Sequence, residues 1–289
     1  MVKQKWSLAV AIGALCFSTW VQADSLNEQR ARYQEIKSAW DLKKTDEVEK
    51  LLPTLQNYPL YPYLEYRQIT DNLDVIAPAV VTEFVAKYPT LPPAKALPSL
   101  FVNELAKRQE WQNLLTFSPN PPNPKAARCN YYYAKWATGD IQTAWVGAKE
   151  AWLNGTSMPS SCDSLFDEWQ KANQLTPELV LERINLAVKN GNTALAAYLA
   201  RRLPENYQTI SDALVELQDY PNLVGRYATT LSPTDFTRSI IQSAFSRWAR
   251  KDADAARAQL DNIAHAQKMT ASERQLMRDT VAWQYMPYA

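Results

Sequence analysis

The chain has 289 residues, with 31 basic and 30 acidic side chains, so its net charge is close to zero. This balance excludes the strongly basic surface that nucleic-acid-binding proteins use against phosphates. The 18 prolines and only 6 glycines disfavour glycine-rich phosphate loops and tight β-hairpins, and they favour short helices separated by turns.

The first 23 residues have the pattern of a secretory signal peptide. Lys3 and Lys5 precede an apolar stretch that ends at Phe17, and a cleavage site with small residues ends at Ala23. Cys16 lacks the preceding small residue that a lipid-attachment cysteine needs, and no later apolar stretch approaches the ~20 residues of a membrane span. We therefore expect residues 1–23 to be removed and residues 24–289 to form an exported domain without a membrane anchor.

Two cysteines lie beyond the predicted signal, at Cys129 and Cys162. An exported chain meets an oxidising compartment, where an even pair of cysteines indicates a disulfide. The alternative is a pair of separate buried thiols.

Four segments of the chain share one pattern, an apolar helical face, a polar turn and then small residues at helical spacing. The turns fall at Lys44, Gly139, Gly191 and Asp252. The small residues that follow are Ala144, Ala148, Ala196, Ala200 and Ala256. Alanine lets two helices of a hairpin approach closely, and hairpins that cannot bury both faces stack on one another. The pattern predicts an all-α, tetratricopeptide-like solenoid.

Two proline-rich stretches interrupt the helical patterns, at residues 87–99 and 118–127. Proline lacks an amide donor and restricts the residue before it, so both stretches are predicted to be stiff connectors. A polyproline ligand for a partner domain is the alternative.

No residue pattern indicates catalysis or a metal. The single histidine, His265, is predicted to be structural or exposed, and the two cysteines have no histidine nearby with which to form a zinc site. Asp167 and Glu168 are adjacent on a predicted helix, so they point about 100° apart and cannot flank one glycosidic bond. We assign no catalytic, cofactor-binding or metal-binding residue.

The segment from Arg128 to Gly155 is unusually aromatic and includes Trp136, Trp145 and Trp152. Such rings could stack on sugars, but their helical spacing beside alanines favours packing in the core. The predicted last helix, residues 272–285, carries an apolar strip with Leu276 and Trp283, which we expect to be open.

Several long strings resemble the N-terminal part of the soluble lytic murein transglycosylase family. They are NYPLYPYLEYRQITDNL from Asn57, FVNELAKRQEW from Phe101, CNYYYAKWATG from Cys129 and TDFTRSI from Thr234. The resemblance covers nearly all of residues 24–289. It implies a U-shaped superhelix of short helices, and Cys129 and Cys162 match a cysteine pair of the family.

The family's activity implies a second domain. Its lysozyme-like C-terminal domain uses a glutamate, followed by serine, to cleave the bond between N-acetylmuramic acid and N-acetylglucosamine into a 1,6-anhydro product. No glutamate here is followed by serine. The resemblance therefore implies a noncatalytic scaffold, apparently truncated, with peptidoglycan glycan strands and cell-wall remodelling proteins as partners. The competing hypotheses are a protein-interaction scaffold without a glycan role and an enzyme with an unrecognised site.

Overall fold

The computed structural model describes residues 25–286, and the predicted signal peptide lies outside them. The described residues form helices joined by turns and contain no strand. They fall into two compact units, which divide between Asn72 and Leu73. The all-α prediction is confirmed.

The described part of the first unit contains three α-helices: α1 (Leu26–Asp41), α2 (Thr45–Leu51) and α3 (Tyr61–Asp71). Ser25 and Glu28 cap the start of α1 reciprocally, each side chain accepting a hydrogen bond from the other's backbone amide. Ile36 of α1 and Leu55, in the 3₁₀ turn after α2, are completely buried in the unit's core.

The second unit contains thirteen α-helices. They are α4 (Pro78–Lys87), α5 (Pro92–Lys107), α6 (Trp111–Phe117), α7 (Lys125–Ala137), α8 (Ile141–Trp152), α9 (Asp163–Lys171), α10 (Pro177–Lys189), α11 (Thr193–Ala200), α12 (Gln208–Asp219), α13 (Val224–Thr230), α14 (Asp235–Lys251), α15 (Ala253–Ala266) and α16 (Ala271–Trp283).

Helices in the second unit pack mainly against the next helix and the next but one. Thus α7 contacts α8 and α9, α10 contacts α11 and α12, and α14 contacts α15 and α16. Each hairpin is consequently covered by the following hairpin, which is the arrangement of helical-repeat proteins. This packing agrees with the predicted stacking of helical hairpins.

Six turns between helices share one geometry. Their central residues have positive φ, between 49° and 94°; they are Lys43, Gln109, Gly139, Asn173, Gly191 and Lys268. In each turn the next amide donates a hydrogen bond to the carbonyl five residues earlier, as Asp140 does to Lys135 at 2.8 Å. This is the Schellman arrangement that ends a helix. The predicted turn at Asp252 is different, because its side chain caps α15 by accepting from the Ala255 amide.

The predicted small residues lie mostly where the helices meet. Ala144, Ala148, Ala196 and Ala256 have no exposed surface, whereas Ala200 is half-buried. Because a methyl side chain occupies little space, the helix backbones can approach closely at these four positions.

The prediction that residues 87–99 form a connector is wrong over most of its length. Only residues 88–91 lie between α4 and α5, and Pro98 lies inside α5. Two prolines open α5, where missing amide donors cost nothing. Burial of Leu97 and Phe101 offsets the hydrogen bond that Pro98 cannot make. In the second stretch, residues 118–124 are a connector and α7 begins at Lys125.

Candidate functional site

The second unit has an open cleft of about 570 Å³ between α5, the start of α6, α7 and the segment before α9. Its polar and aromatic lining comprises Asn103, Lys107, Gln109, Trp111, Asn130, Tyr133, Ser160, Ser161 and Ser164. The lining contains no carboxylate and no histidine, so it lacks the pair of carboxyl groups that most glycosidases use. The cleft offers hydrogen-bonding groups together with aromatic rings.

Three aromatic rings form a row at this cleft. The ring centroids of Trp111 and Tyr133 are 5.1 Å apart, and those of Tyr133 and Trp136 are also 5.1 Å apart. All three side chains are half-buried, so each presents part of a ring outside the core. Trp111 and Tyr133 line the cleft itself, and such rings offer apolar faces to the C–H bonds of a sugar.

Side-chain amides lie beside these rings. Asn130 Nδ2 donates a hydrogen bond to Asn103 Oδ1 at 2.8 Å, which fixes both amides against each other. Each amide has further donors or acceptors, and both residues are half-buried at the cleft wall. Lys107 is the only charged residue of the lining, and its Nζ lies 3.7 Å from Glu104 Oε2. A neutral ligand rich in hydroxyl groups fits this combination.

The structure contains a disulfide between Cys129 of α7 and Cys162, which lies immediately before α9. Both cysteines are almost completely buried. The bond holds residues 159–161 against α7, and Ser161 Oγ donates to the Ala126 carbonyl at 3.5 Å. The disulfide therefore positions one wall of the cleft relative to Asn130 and Tyr133 on the other.

The three tryptophans of the aromatic segment from Arg128 to Gly155 differ in burial. Trp152 is buried and its Nε1 donates to the Leu179 carbonyl at 2.9 Å. Trp136 and Trp145 are only half-buried, so the prediction that all three tryptophans are core residues is correct for Trp152 alone. The reason is that neighbouring helices cover only part of the circumference of α7 and α8.

The other candidate residues lie outside the cleft. His265 is exposed on α15, and Asp167 is exposed on α9. Glu168 accepts a hydrogen bond from Lys171 at 2.7 Å, and this contact raises the pKa of the lysine. Within residues 25–286, no three potential metal ligands cluster, and no helix has both the length and the apolarity of a membrane span.

Sequence reasoning did not single out Asn103, Trp111 or Asn130 as binding residues. Asn103 and Trp111 stand in one of the strings that carry the resemblance and Asn130 in another, but nothing local shows that the two strings meet. Only the packing of α5 and α6 against α7 brings these side chains together.

The fold and the cleft define a class: a scaffold of stacked helical hairpins with a carboxylate-free binding cleft. No family model matches the chain. The chain is 50% identical over 279 residues, 96% of its length, to the soluble lytic murein transglycosylase of Escherichia coli K12. It spans 43% of the length of that relative.

Two crystal structures are similar to the chain. The 70 kDa soluble lytic transglycosylase of E. coli matches with a TM-score of 0.73 and 51% identity over 90% of this chain and 42% of its own. An inactive mutant of the lytic transglycosylase Slt from Pseudomonas aeruginosa matches with a TM-score of 0.74 and 26% identity, over 88% and 41% of the two chains. The chain belongs to the soluble lytic murein transglycosylase family and corresponds to its N-terminal part.

Proposed function

We propose that these residues form the noncatalytic scaffold domain of a periplasmic peptidoglycan lytic transglycosylase, and that the cleft at Trp111 and Tyr133 holds a glycan strand. The observation that carries the proposal is the cleft itself, which combines two half-exposed rings with paired asparagine amides and lacks any carboxylate. Murein is the polymer in the relative's name, and its glycan strands carry the apolar sugar faces and hydrogen-bonding groups that such a cleft accommodates.

In this proposal, bond cleavage belongs to a lysozyme-like domain of the complete family member. That domain would break the bond between N-acetylmuramic acid and N-acetylglucosamine and form the 1,6-anhydro product. The helical scaffold would hold the strand while the other domain acts on it. An export signal in residues 1–23 would deliver the protein to the periplasm, where the polymer lies.

The test is binding of the purified protein to insoluble peptidoglycan, measured by co-sedimentation. Trp111→Ala removes a ring from the cleft and should weaken binding roughly tenfold, equivalent to ~1.4 kcal/mol. Trp145→Ala is the matched control, because Trp145 is also half-buried but does not line the cleft. Equal weakening by both variants, or wild-type binding by Trp111→Ala, would contradict the glycan assignment.

A reaction assay separates scaffold from enzyme. Incubation of the 289-residue chain with peptidoglycan should release no 1,6-anhydromuropeptides by mass spectrometry, with a full-length family member as the positive control. Release of these products by the chain alone would show that it contains a catalytic site.

The second candidate function is a protein-interaction scaffold. It is favoured by the exposed apolar side chains of α16, Leu276 at 58% and Trp283 at 69% exposure. If the chain does not bind peptidoglycan but co-purifies stoichiometrically with a cell-wall remodelling protein, this second function would replace the first.

A further inference from the structure

A second cleft in the same unit, of about 590 Å³, lies between the end of α8, α9, α10 and α11. Its lining differs from that of the first cleft because it is charged. Arg183 and Arg202 contribute two guanidinium groups, and Asp163 and Asp167 contribute two carboxylates. The glycan proposal makes no use of these residues.

Arg183 is a buried cation that contacts aromatic rings but no hydrogen-bond acceptor within the described residues. Only 5% of the residue is exposed, and its Nε is buried without a hydrogen-bond acceptor. Its guanidinium carbon lies 4.4 Å from the ring centroid of Trp152 and 5.7 Å from that of Phe166. Burial lowers the pKa of Arg183 to about 10, so the group is still positively charged at neutral pH.

The aromatic contacts explain only part of this arrangement. A ring face attracts a guanidinium, but it is a poor substitute for the oxygen acceptors that its five N–H donors require. Burial of a charge without such acceptors is costly. Arg247 and Arg108 in the described chain also have a buried Nε without an acceptor, but their terminal guanidinium nitrogens are hydrogen-bonded. Arg247 donates to the Leu217 carbonyl at 3.0 Å, and Arg108 donates to the Ile76 carbonyl at 3.2 Å.

The other charged residues that line the cleft do not neutralise Arg183. Arg202 is exposed and donates to Gln170 Oε1 at 2.8 Å, and its positive charge also disfavours the protonated form of Arg183. Asp163 and Asp167 are one turn apart on α9 and exposed. Neither aspartate forms an ion pair with Arg183, for which a nitrogen–oxygen distance within 4.0 Å would be needed. The lining of the cleft thus presents both cationic and anionic groups to a ligand.

We propose that this cleft binds an amino-acid group that carries both a carboxylate and an ammonium, with the carboxylate on Arg183 and the ammonium toward Asp163 and Asp167. A guanidinium binds a carboxylate through two parallel hydrogen bonds, which supplies the acceptors that Arg183 lacks. The two aspartates repel a phosphate dianion, so they favour the zwitterionic ligand. The stem peptides of peptidoglycan carry such groups, and this choice of source rests on the proposed function.

The test is isothermal titration calorimetry of the 289-residue chain with a tripeptide that ends in diaminopimelic acid. Its fully N-acetylated form lacks the ammonium groups and its fully amidated form lacks the carboxylates; both should bind at least tenfold more weakly. Inorganic phosphate is the anion-only probe. Phosphate binding as tight as that of the tripeptide, or equal binding of all three peptide forms, would overturn the proposal.

Arg183→Met should weaken binding of the tripeptide at least tenfold, and Arg183→Lys should also weaken it because an ammonium lacks the bidentate fork. Arg250→Met is the control of equal charge, since Arg250 is exposed on α14 and does not line the cleft. The melting temperature of Arg183→Met should stay within a few degrees of wild type or rise, because an apolar side chain replaces a buried unpaired charge. A large fall in melting temperature with unchanged affinity would show that Arg183 has only a structural role.

The two proposals can fail separately. Glycan strands stripped of their stem peptides by an amidase test the Trp111 cleft alone, whereas the free tripeptide tests the Arg183 cleft alone. If the stripped glycan binds and the tripeptide does not, only the inference on Arg183 is lost. If the tripeptide binds and the stripped glycan does not, the glycan assignment is wrong and the Arg183 site stands.

Discussion

Gly147 of α8 lies directly against the ring of Tyr132 on α7, and a Cβ atom built at Gly147 would overlap that ring. The glycine therefore sets the distance between the two helices of this hairpin. Tyr132 is itself buried. The pair holds together the hairpin of α7 and α8, and α7 also carries Tyr133 and Trp136 of the aromatic row.

Gly147→Ala is expected to destabilise the protein by ~1–3 kcal/mol, the range for overpacking a close-packed interior. The matched control is Gly225→Ala on α13, where an added Cβ would meet only Gln259 Oε1 at 3.8 Å. That control should be neutral or slightly stabilising, because alanine restricts the unfolded chain. Urea unfolding followed by circular dichroism measures both variants, and equal effects would show that the contact with Tyr132 does not limit packing.

Trp152→Ala should cost ~3–5 kcal/mol, the range for deleting a buried large aromatic side chain. The variant also removes the donor to the Leu179 carbonyl. Trp136→Ala should cost clearly less, since Trp136 is only half-buried. Thermal unfolding of the two variants in one buffer compares them directly. A greater loss for Trp136 than for Trp152 would mean that burial does not determine their contributions.

The disulfide should appear as a Cys129–Cys162 linked peptide in mass spectrometry of the non-reduced, periplasmically expressed protein. Its removal by a Cys129→Ala, Cys162→Ala double variant should lower stability by ~3–4 kcal/mol, the chain-entropy value for a loop of this length. The 33-residue separation sets that value. Glycan binding should weaken as well, because the bond positions the wall at Ser161. Two free thiols in the exported protein would contradict the prediction.

Protonation of a capping carboxylate should destabilise α16. Hydrogen bonding to the Thr270 backbone amide is the main cause that lowers the pKa of Glu273, and the nearby Arg238 lowers it further. Because the pKa of Glu273 is lower in the folded than in the unfolded protein, its carboxylate contributes its full stabilisation above the ordinary glutamate pKa of about 4.3. This contribution is lost as the pH falls through the lowered pKa of the folded state.

Glu273→Gln should therefore reduce stability at pH 7 and flatten the decrease below about pH 4.3. Glu83→Gln, an exposed position on α4 outside any helix cap, serves as the control. Denaturant unfolding at a series of pH values between neutral and acid compares the variants with wild type. If the stability of Glu273→Gln decreases with acid as steeply as that of wild type, the cap does not contribute to acid sensitivity.

The apolar strip on α16 should promote self-association of the 289-residue chain. Met277 and Val281 are buried against the rest of the unit, but Leu276, Trp283, Tyr285 and Met286 are at least half exposed. Exposed apolar patches favour association. Analytical ultracentrifugation should show a concentration-dependent increase in mass, which Leu276→Ser with Trp283→Ser should abolish. A monodisperse wild-type monomer at high concentration would show that the strip alone is insufficient.

The sequence by itself determined the local structure of this protein. Alanines after polar turns predicted hairpins, and positive-φ turns at Gly139 and Gly191 follow from the tolerance of glycine for that conformation. Pro98 shows the limit of local reasoning. Pro98 has no backbone N–H donor, which predicts that a helix should not continue through it. The helix forms nevertheless, because tertiary packing buries Leu97 and Phe101.

Only the tertiary structure decided which side chains form sites. Asn103 and Asn130 are 27 residues apart in sequence but share a hydrogen bond, and Arg183 lies 31 positions beyond the ring of Trp152 that it contacts at 4.4 Å. Helical periodicity assigns a residue to a face of its own helix, but it does not state how much of that face a neighbouring helix covers. Trp136 and Trp152 have the same local pattern, and the stacking of successive hairpins leaves the first half-exposed and buries the second.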